Sequence, residues 1–125
     1  ISDRVIFAGF VRGRELTQLY QAADLYVMPS VSEPFGLTPL EAAAQGIPVL
    51  ISKQSGVAEV FHSALKADFW DIDEMSDKIV AAIKYPNLNS ALASDGRESV
   101  QALSWHRSVA GYLNYYQKVL RGAIT

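Results

Sequence analysis

Two glutamates, Glu33 and Glu41, flank a loop rich in proline and glycine in the segment SEPFGLTPLE. Gly36 removes a side chain where TPLEAAAQ predicts the start of a helix. The amides of residues 35–38 would then point outward unpaired, and such a positive end suits a phosphate. Glu33 could accept hydrogen bonds from sugar hydroxyls, and Glu41, about one turn into the helix, could bind a vicinal diol such as a ribose. The segment is therefore suited to a nucleotide sugar.

The same residues also have structural interpretations, which the local pattern leaves open. Thr38 and Glu41 have the spacing of a capping box, in which Glu41 would bond its own backbone. Glu33 could be an ordinary solvated loop residue, and Gly36 could merely permit a turn. The alanines at 42–44 are most simply explained by close packing of a helix on a sheet.

Other residue types that often do chemistry show weaker patterns. His62 and His106 lack metal-ligand spacing, so both are predicted to be structural and no metal site is expected. Ser55 lacks the nucleophile-elbow pattern, and neither a GxGxxG nor a Walker motif is present. Lys53 follows a predicted strand and could reach a phosphate, although simple solvation is the stronger expectation.

Alternating strand-like and helix-like segments predict the elements that would position this loop. The predicted strands are Val5–Phe10, LYVMPS up to Pro29, Pro48–Ser52 and, ambiguously, Ala64–Phe69. The first two predicted helices are Glu15–Ala23 and Thr38–Gln45, and another helix could start at 56–60. A later helix follows the DIDE capping box and ends before Pro86. The last two span Leu88–Leu103, where Gly96 weakens the prediction, and about 105–121, where Ser104 is the predicted cap. This order predicts an α/β fold with a parallel sheet, whose ligands bind at the carboxyl ends of the strands.

Composition excludes several classes of protein. The 125 residues predict one domain, and the net charge of −2 provides no general attraction to nucleic acid or anionic membranes. Cysteine is absent, which excludes disulfides and thiolate metal sites and is compatible with the cytosol. No apolar run approaches the roughly 18 residues of a membrane span. Because the chain begins at Ile1, almost within a strand-like run, we expect it to be part of a longer protein.

The segment SEPFGLTPLEAAAQGIPVLIS, followed by SGVAEV, resembles the retaining glycosyltransferases of family 4, which have the two-domain GT-B architecture. Their signature is a glutamate, seven residues and a second glutamate, with Phe-Gly after the first. VIFAGFV, ADLYVMPS and the tail beginning SWH also match, so the resemblance covers nearly the whole chain. It implies a Rossmann-like three-layer parallel sheet with helices on both faces. Residues 1–125 would be a single nucleotide-sugar-binding domain, an incomplete C-terminal half of a GT-B enzyme.

The resemblance also implies roles for individual residues. Glu33 would be the catalytic residue that contacts hydroxyls of the donor sugar, while backbone groups of the loop approach the sugar and its diphosphate. Glu41 would bind the ribose, and Val11 would lie near the base. The implied donor-binding residues are Phe35, Gly36, Leu37, Thr38, Glu41 and Val11.

The parent enzyme would be a hexosyltransferase of carbohydrate biosynthesis, cytoplasmic or at the inner face of the membrane. It would transfer a hexose from a nucleotide diphosphate sugar to an acceptor hydroxyl with retention, and no cofactor or metal is implied. An N-terminal lobe would bind the acceptor and supply a catalytic histidine, and an Arg/Lys pair would neutralise the phosphates. Both would precede this segment, so the isolated chain is expected to be inactive. A glycine-rich turn that many relatives carry after SGVAEV is replaced here by FHSALKADFWD.

Two alternative functions are kept. One is a sugar-nucleotide epimerase of GT-B build, which should need more acid/base groups than this segment contains. The other is a non-catalytic nucleotide-sugar-binding module, against which the glutamate pair argues mildly. A last expectation concerns the aromatic cluster Trp105, Tyr112, Tyr115 and Tyr116, most of which is predicted to lie in the core. In the family the last helix reaches back to the other lobe, so part of this face could be exposed.

Overall fold

A computed structural model describes residues 1–123 as a three-stranded sheet with five α-helices. The strands are β1 (Tyr26–Met28), β2 (Val49–Ser52) and β3 (Leu65–Ala67). The helices are α1 (Gly13–Gln21), α2 (Thr38–Ala44), α3 (Ile72–Lys84), α4 (Pro86–Ala102) and α5 (Trp105–Leu120), with short 3₁₀ helices at Ser2–Arg4 and Gly56–Glu59. These elements agree with the predicted helices and with three of the four predicted strands.

The sheet has the order β1-β2-β3, and both pairs of strands are parallel. Tyr26 lies beside Val49, and Leu50 lies beside Leu65. All three strands therefore end at the same edge, which is where the loops after β1 and β2 begin. This parallel arrangement with covering helices confirms the predicted α/β fold class.

The core lies on both sides of the central strand β2. Val49 and Ile51 pack with Ala42 and Ala43 of α2 on one face. Their small side chains let the helix lie close to the sheet, which confirms the packing interpretation for those two alanines. On the opposite face Leu50 is also completely buried, so helices or loops cover both faces.

Gly96, which weakened the predicted fourth helix, turns out to help it pack. A Cβ at this position would lie 3.6 Å from both Ala43 and Phe61, so the glycine sits directly in the contact between α4 and α2. Glycine inside a helix costs about 1 kcal/mol relative to alanine. Despite that cost, Gly96 is buried in this contact and α4 continues without a break to Ala102.

The predicted strand at Val5–Phe10 is wrong. These residues form no ladder within residues 1–123, and Ile6 and Phe7 are 89% and 93% exposed. Their composition suits a strand, but a strand also needs a neighbour to receive its backbone hydrogen bonds. No part of the described chain pairs with this segment.

The prediction that most of the aromatic cluster on α5 lies in the core is also wrong. Ser104 caps the helix as expected, because its hydroxyl accepts from the Arg107 amide at 3.3 Å. Trp105 and Tyr112 are nevertheless 85% and 66% exposed, and every residue of α5 is exposed. These exposures confirm the expectation that part of this face is exposed. Within residues 1–123, no helix has both the length and the hydrophobicity that a membrane crossing requires.

Candidate functional site

The candidate site is the loop between β1 and α2, together with the turn that follows β2. Both begin at the carboxyl edge of the parallel sheet, as the sequence predicts. Glu33 and Ser55 form an isolated parallel bridge between them. The Gly56 amide donates to the Glu33 carbonyl at 2.9 Å, and the Val57 amide donates to the Phe35 carbonyl at 2.7 Å. The loop is therefore fixed against a second segment of backbone.

Gly56 makes this close approach possible. A Cβ at position 56 would lie 2.1 Å from the Pro34 carbonyl oxygen, far inside van der Waals contact. Sequence reasoning included Gly56 in the SGVAEV match but assigned it no role. The available signal was a glycine soon after a buried strand, which often marks a close backbone approach.

Gly36 has a different reason to be glycine. Its φ of +91° lies in the region that side chains other than glycine rarely adopt. A Cβ here would also lie 3.0 Å from the Met28 methyl and 3.1 Å from Cγ of Glu33. The turn at Gly36 therefore brings the backbone against the base of the Glu33 side chain, immediately before α2 begins.

The polar groups of the loop are open to a ligand. Within residues 1–123, the amides of residues 35–38 donate to no backbone or side-chain acceptor, as the sequence predicts. The Glu33 carboxylate is half-buried and likewise has no hydrogen-bond partner in that part of the chain. A row of donors thus lies beside a carboxylate acceptor.

The capping-box interpretation of Thr38 and Glu41 is wrong. Leu37 is the N-cap of α2, and no side chain caps that end. The Thr38 hydroxyl accepts from the Tyr26 hydroxyl at 2.7 Å. Glu41 is exposed and accepts from the Tyr20 hydroxyl at 3.4 Å, so its carboxylate is not used on its own helix.

Tyr20 of α1 contacts the candidate site, although the sequence analysis gave it no role there. Burial, followed by the nearby negative charge of Glu41, raises the pKa of Tyr20 to about 12. The hydroxyl is therefore protonated at neutral pH and remains a donor to Glu41. Its ring packs edge-on against Tyr26, with ring centroids 5.9 Å apart. Two tyrosines thus orient the side chains at the start of α2.

Lys53 is directed to carboxylates rather than to the loop. Its ammonium lies 2.9 Å from Asp68 and 3.7 Å from Glu74. The hydrogen bond with Asp68 raises the pKa of Lys53 and lowers that of Asp68, and a hydrogen bond from Lys78 lowers the pKa of Glu74. Lys53 is partly exposed, as expected for a solvated residue, but it is paired, which does not support a phosphate contact.

The remaining predicted residues lie away from this arrangement. Val11 is half-buried two positions before α1, and no hydrogen bond in the described part of the chain joins it to the loop. Its role near a base stays a prediction. His62 and His106 are both exposed at the surface. Among residues 1–123 no three His, Cys, Asp or Glu side chains come together as a metal site would require.

Comparison with known proteins gives this arrangement a context. Residues 1–99 match the family model "Glycosyl transferases group 1". Mannosylfructose-phosphate synthase of Agrobacterium fabrum is 31% identical over 116 residues, which cover 90% of this chain and 26% of that protein. This chain therefore spans about a quarter of the length of that curated relative.

Solved structures show the same likeness. Sucrose-phosphate synthase from Thermosynechococcus elongatus matches with a TM-score of 0.78 and 32% identity, over 98% of this chain and 31% of that one. The C-terminal domain of a glycosyl transferase group 1 family protein from Francisella tularensis matches with a TM-score of 0.68 and 27% identity, over 77% of this chain and 51% of that one. The family model covers well over half of the residues, and its match includes both Glu33 and Glu41. The chain belongs to the group 1 glycosyltransferases.

Proposed function

We propose that this chain is the donor-binding part of a retaining GT-B glycosyltransferase of family 4, which transfers a hexose from a nucleotide diphosphate sugar to an acceptor hydroxyl. One observation carries the proposal. In sequence, the unpartnered amides of residues 35–38 lie between two carboxylates, Glu33 in the loop and Glu41 on α2, and neither carboxylate caps that helix. A nucleotide diphosphate sugar has the same order of groups, with hydroxyls at each end and negative charge in the middle.

The amides would bind the diphosphate. Charge grows on this group as the bond to the sugar breaks, so donors that are already directed at it stabilise the transition state more than the ground state. At Gly36 the turn adds no side chain of its own beside these amides. Backbone donors of this kind can offset phosphate charge without a metal ion. The Arg/Lys pair that the family resemblance implies would add to this effect.

The two carboxylates would bind the two sugars of the donor. Glu41 would accept from the ribose hydroxyls while the Tyr20 hydroxyl holds one of its oxygens. Glu33 would accept from hydroxyls of the hexose and is proposed as the catalytic residue, because the hexose is the group that is transferred. Val11 would lie near the base. Phe35, Leu37 and Thr38 would contribute backbone groups and shape.

The printed names of the relatives support a sugar substrate. Mannosylfructose-phosphate synthase and sucrose-phosphate synthase are both named for phosphorylated sugar products. The match to a C-terminal domain supports the assignment of this chain to the C-terminal lobe. An N-terminal lobe would then bind the acceptor, and the parent enzyme would act in the cytoplasm or at the inner face of the membrane.

Saturation-transfer NMR with UDP-, GDP- and ADP-sugars, applied to the full-length protein, tests the proposal directly. We expect one of these donors to bind, with Glu41→Ala weakening its binding at least about tenfold. Glu33→Ala should mainly lower kcat in a transfer assay with a hydroxyl acceptor. Glu98→Ala, an exposed glutamate on α4, is the matched control and should change neither. Unchanged binding and turnover in both site variants would contradict the proposal.

A second assay separates transfer from epimerisation. The full-length protein is incubated with the bound donor and no acceptor, and the nucleotide sugar is recovered for analysis. A transferase should return the same sugar isomer, with at most slow hydrolysis. A new isomer would instead establish an epimerase. Binding with neither a new isomer here nor transfer to a hydroxyl acceptor in the first assay would favour a non-catalytic module.

A further inference from the structure

The turn after β2 is joined to the end of β3 by a backbone hydrogen bond from the Lys53 amide to the Ala67 carbonyl at 2.9 Å, and by a set of side-chain hydrogen bonds that centre on Asp68. The Lys53 ammonium lies 2.9 Å from one carboxylate oxygen of Asp68, and the Gln54 side-chain amide donates to the other at 2.7 Å. Gln54 also accepts from the Phe69 amide at 3.2 Å. Both oxygens of a single carboxylate are therefore used by two consecutive residues of the turn.

The other side of this turn carries the Glu33 loop. Two residues beyond Gln54, the Gly56 amide donates to the Glu33 carbonyl at 2.9 Å, and the Val57 amide donates to the Phe35 carbonyl at 2.7 Å. Ser55 is buried, and its hydroxyl bonds back to Ser52 at 2.7 Å. The turn is thus internally fixed, so a displacement at Gln54 would be transmitted to residue 56 and from there to the loop.

The Glu33 carboxylate accepts no hydrogen bond within residues 1–123, so its position depends on the backbone of its loop. That backbone is bonded by the amides of Gly56 and Val57 and, nearer β1, by the Ser52 hydroxyl, which donates to the Ser30 carbonyl at 2.6 Å. Glu41, in contrast, lies on α2, whose alanines are buried against the sheet, and Tyr20 contacts it. The two carboxylates of the site are therefore held by different contacts.

We propose that Asp68 is a positioning residue, which holds the turn at 53–56 and through it places the Glu33 carboxylate for the transferred sugar. This inference rests on the proposed function for its catalytic consequence, whereas the mechanical link stands on the hydrogen bonds alone. It predicts that loss of the Asp68 carboxylate affects turnover more than donor binding. The ribose and diphosphate contacts would persist at α2, and only the carboxylate nearest the reacting bond would be displaced.

The test uses the full-length protein with Asp68→Ala, Asp68→Asn and Gln54→Ala. The matched control is Asp77→Ala, an exposed carboxylate on α3 with no hydrogen bond in the described part of the chain. Asn at 68 keeps an acceptor for Gln54 and loses the charge that pairs with Lys53. Gln54→Ala removes the same Gln54–Asp68 hydrogen bond by changing its donor, and it provides the test if Asp68→Ala does not fold.

Amide hydrogen exchange gives a readout that requires no substrate. We expect exchange at Gly56 and Val57 to accelerate about tenfold in Asp68→Ala and Gln54→Ala, with Leu50 and Ile51 of β2 unchanged. Asp68→Asn should show a smaller change, and Asp77→Ala none. Unaltered exchange at Gly56 and Val57 would overturn the link, and so would an equal acceleration throughout β2, which would indicate general destabilisation.

Steady-state kinetics give the catalytic readout. Asp68→Ala should lower kcat by about tenfold or more and change the KM for the donor much less, with Asp68→Asn recovering most of the loss. Faster exchange at Gly56 combined with the kcat of the Asp77→Ala control would overturn the positioning role. A wild-type protein that transfers no sugar would refute the proposed function and with it this catalytic role, while the exchange arm would still decide whether Asp68 holds the turn.

Discussion

Two apolar segments of this chain, VLIS at 49–52 and VIFAGF at 5–10, have similar strand-like compositions and very different environments. The first is the central strand β2, in which all four residues are buried between neighbours on both sides. The second forms no strand, and Phe7 is 93% exposed. Apolar composition therefore predicts which residues favour burial, but the presence of a pairing partner decides whether burial is achieved.

The same contrast separates the candidate site from the last helix. The site forms where the backbone of the Glu33 loop is hydrogen-bonded to the turn after β2. Close contacts at Gly36 and Gly56 leave no room for a side chain there. Helix α5 is capped by Ser104 and regular, yet all of its residues are exposed. Local signals are sufficient to form a helix, whereas the site depends on contacts between residues that are distant in sequence.

The largest expected effect tests the two segments against each other. Leu50→Ala would remove a completely buried side chain from β2 and should lower the free energy of unfolding by about 2–5 kcal/mol. Phe7→Ala removes a larger but exposed ring and should change it by no more than about 0.5 kcal/mol. Denaturant unfolding of both variants measures the difference. A comparable loss in Phe7→Ala would mean that the 5–10 segment is packed in solution.

Two glycines sharpen the comparison between the site and α5. Gly56→Ala places a Cβ against the Pro34 carbonyl and should cost about 2–3 kcal/mol, because backbone must move. Gly111→Ala lies in the exposed α5, where a Cβ meets nothing within 4 Å, and should stabilise the protein by up to about 1 kcal/mol. Thermal unfolding of both variants provides the measurement, and equal shifts in the same direction would contradict the assigned contacts.

A smaller effect is expected at alkaline pH. Because the pKa of Tyr20 is raised to about 12, the protonated hydroxyl is favoured in the folded state. The stability that it contributes is present below the ordinary pKa of 10.0 and is lost as the pH rises towards 12, by about 1 kcal/mol after solvent screening is allowed for. Tyr20→Phe should show a shallower decline over that interval. If the stability of the wild-type protein and of Tyr20→Phe declined identically between pH 10 and 12, the raised pKa assigned to Tyr20 would be refuted.

The smallest effect concerns the ion pairs of Lys53. Hydrogen bonds lower the pKa of Asp68 and of Glu74, so their contribution to stability is present above their ordinary pKa values of 3.8 and 4.5 and is lost as the pH falls below them. Lys53→Met should flatten this acid limb slightly, since these groups are partly exposed and screened. Melting temperatures of both proteins, measured from neutral to acidic pH, would show this smaller loss of stability in the variant. A steeper acid limb in the variant would argue against these pairs.

Much of the fold could be predicted from the sequence because its signals are local. The helix at Thr38–Ala44, the strand at Val49–Ser52 and the Ser104 cap follow from residue types over a few positions. The sequence also brings Glu33, Gly36 and Glu41 to one sheet edge, since the carboxyl ends of parallel strands meet there. These parts of the site depend on topology, which the alternation of elements predicts.

The rest of the site depends on contacts that no local pattern encodes. Tyr20 reaches Glu41 across 21 positions, and Gln54 reaches Asp68 across 14. The Gly56 contact with Pro34 likewise joins two separate loops. The capping box at Thr38 does not form because Leu37, and not Thr38, is the N-cap of α2; the side chains of Thr38 and Glu41 accept instead from Tyr26 and Tyr20.

The Tyr20–Glu41 hydrogen bond has a consequence for the strength of ligand binding. A free glutamate on a helix surface samples several rotamers, and a ligand that fixes it loses roughly 0.5–1.5 kcal/mol of affinity to that ordering. Here a tyrosine on α1 already restrains the carboxylate before any ligand arrives. The entropy cost of ordering this side chain therefore arises on folding rather than on ligand binding. A diol that binds Glu41 contacts an acceptor whose rotational freedom is already reduced.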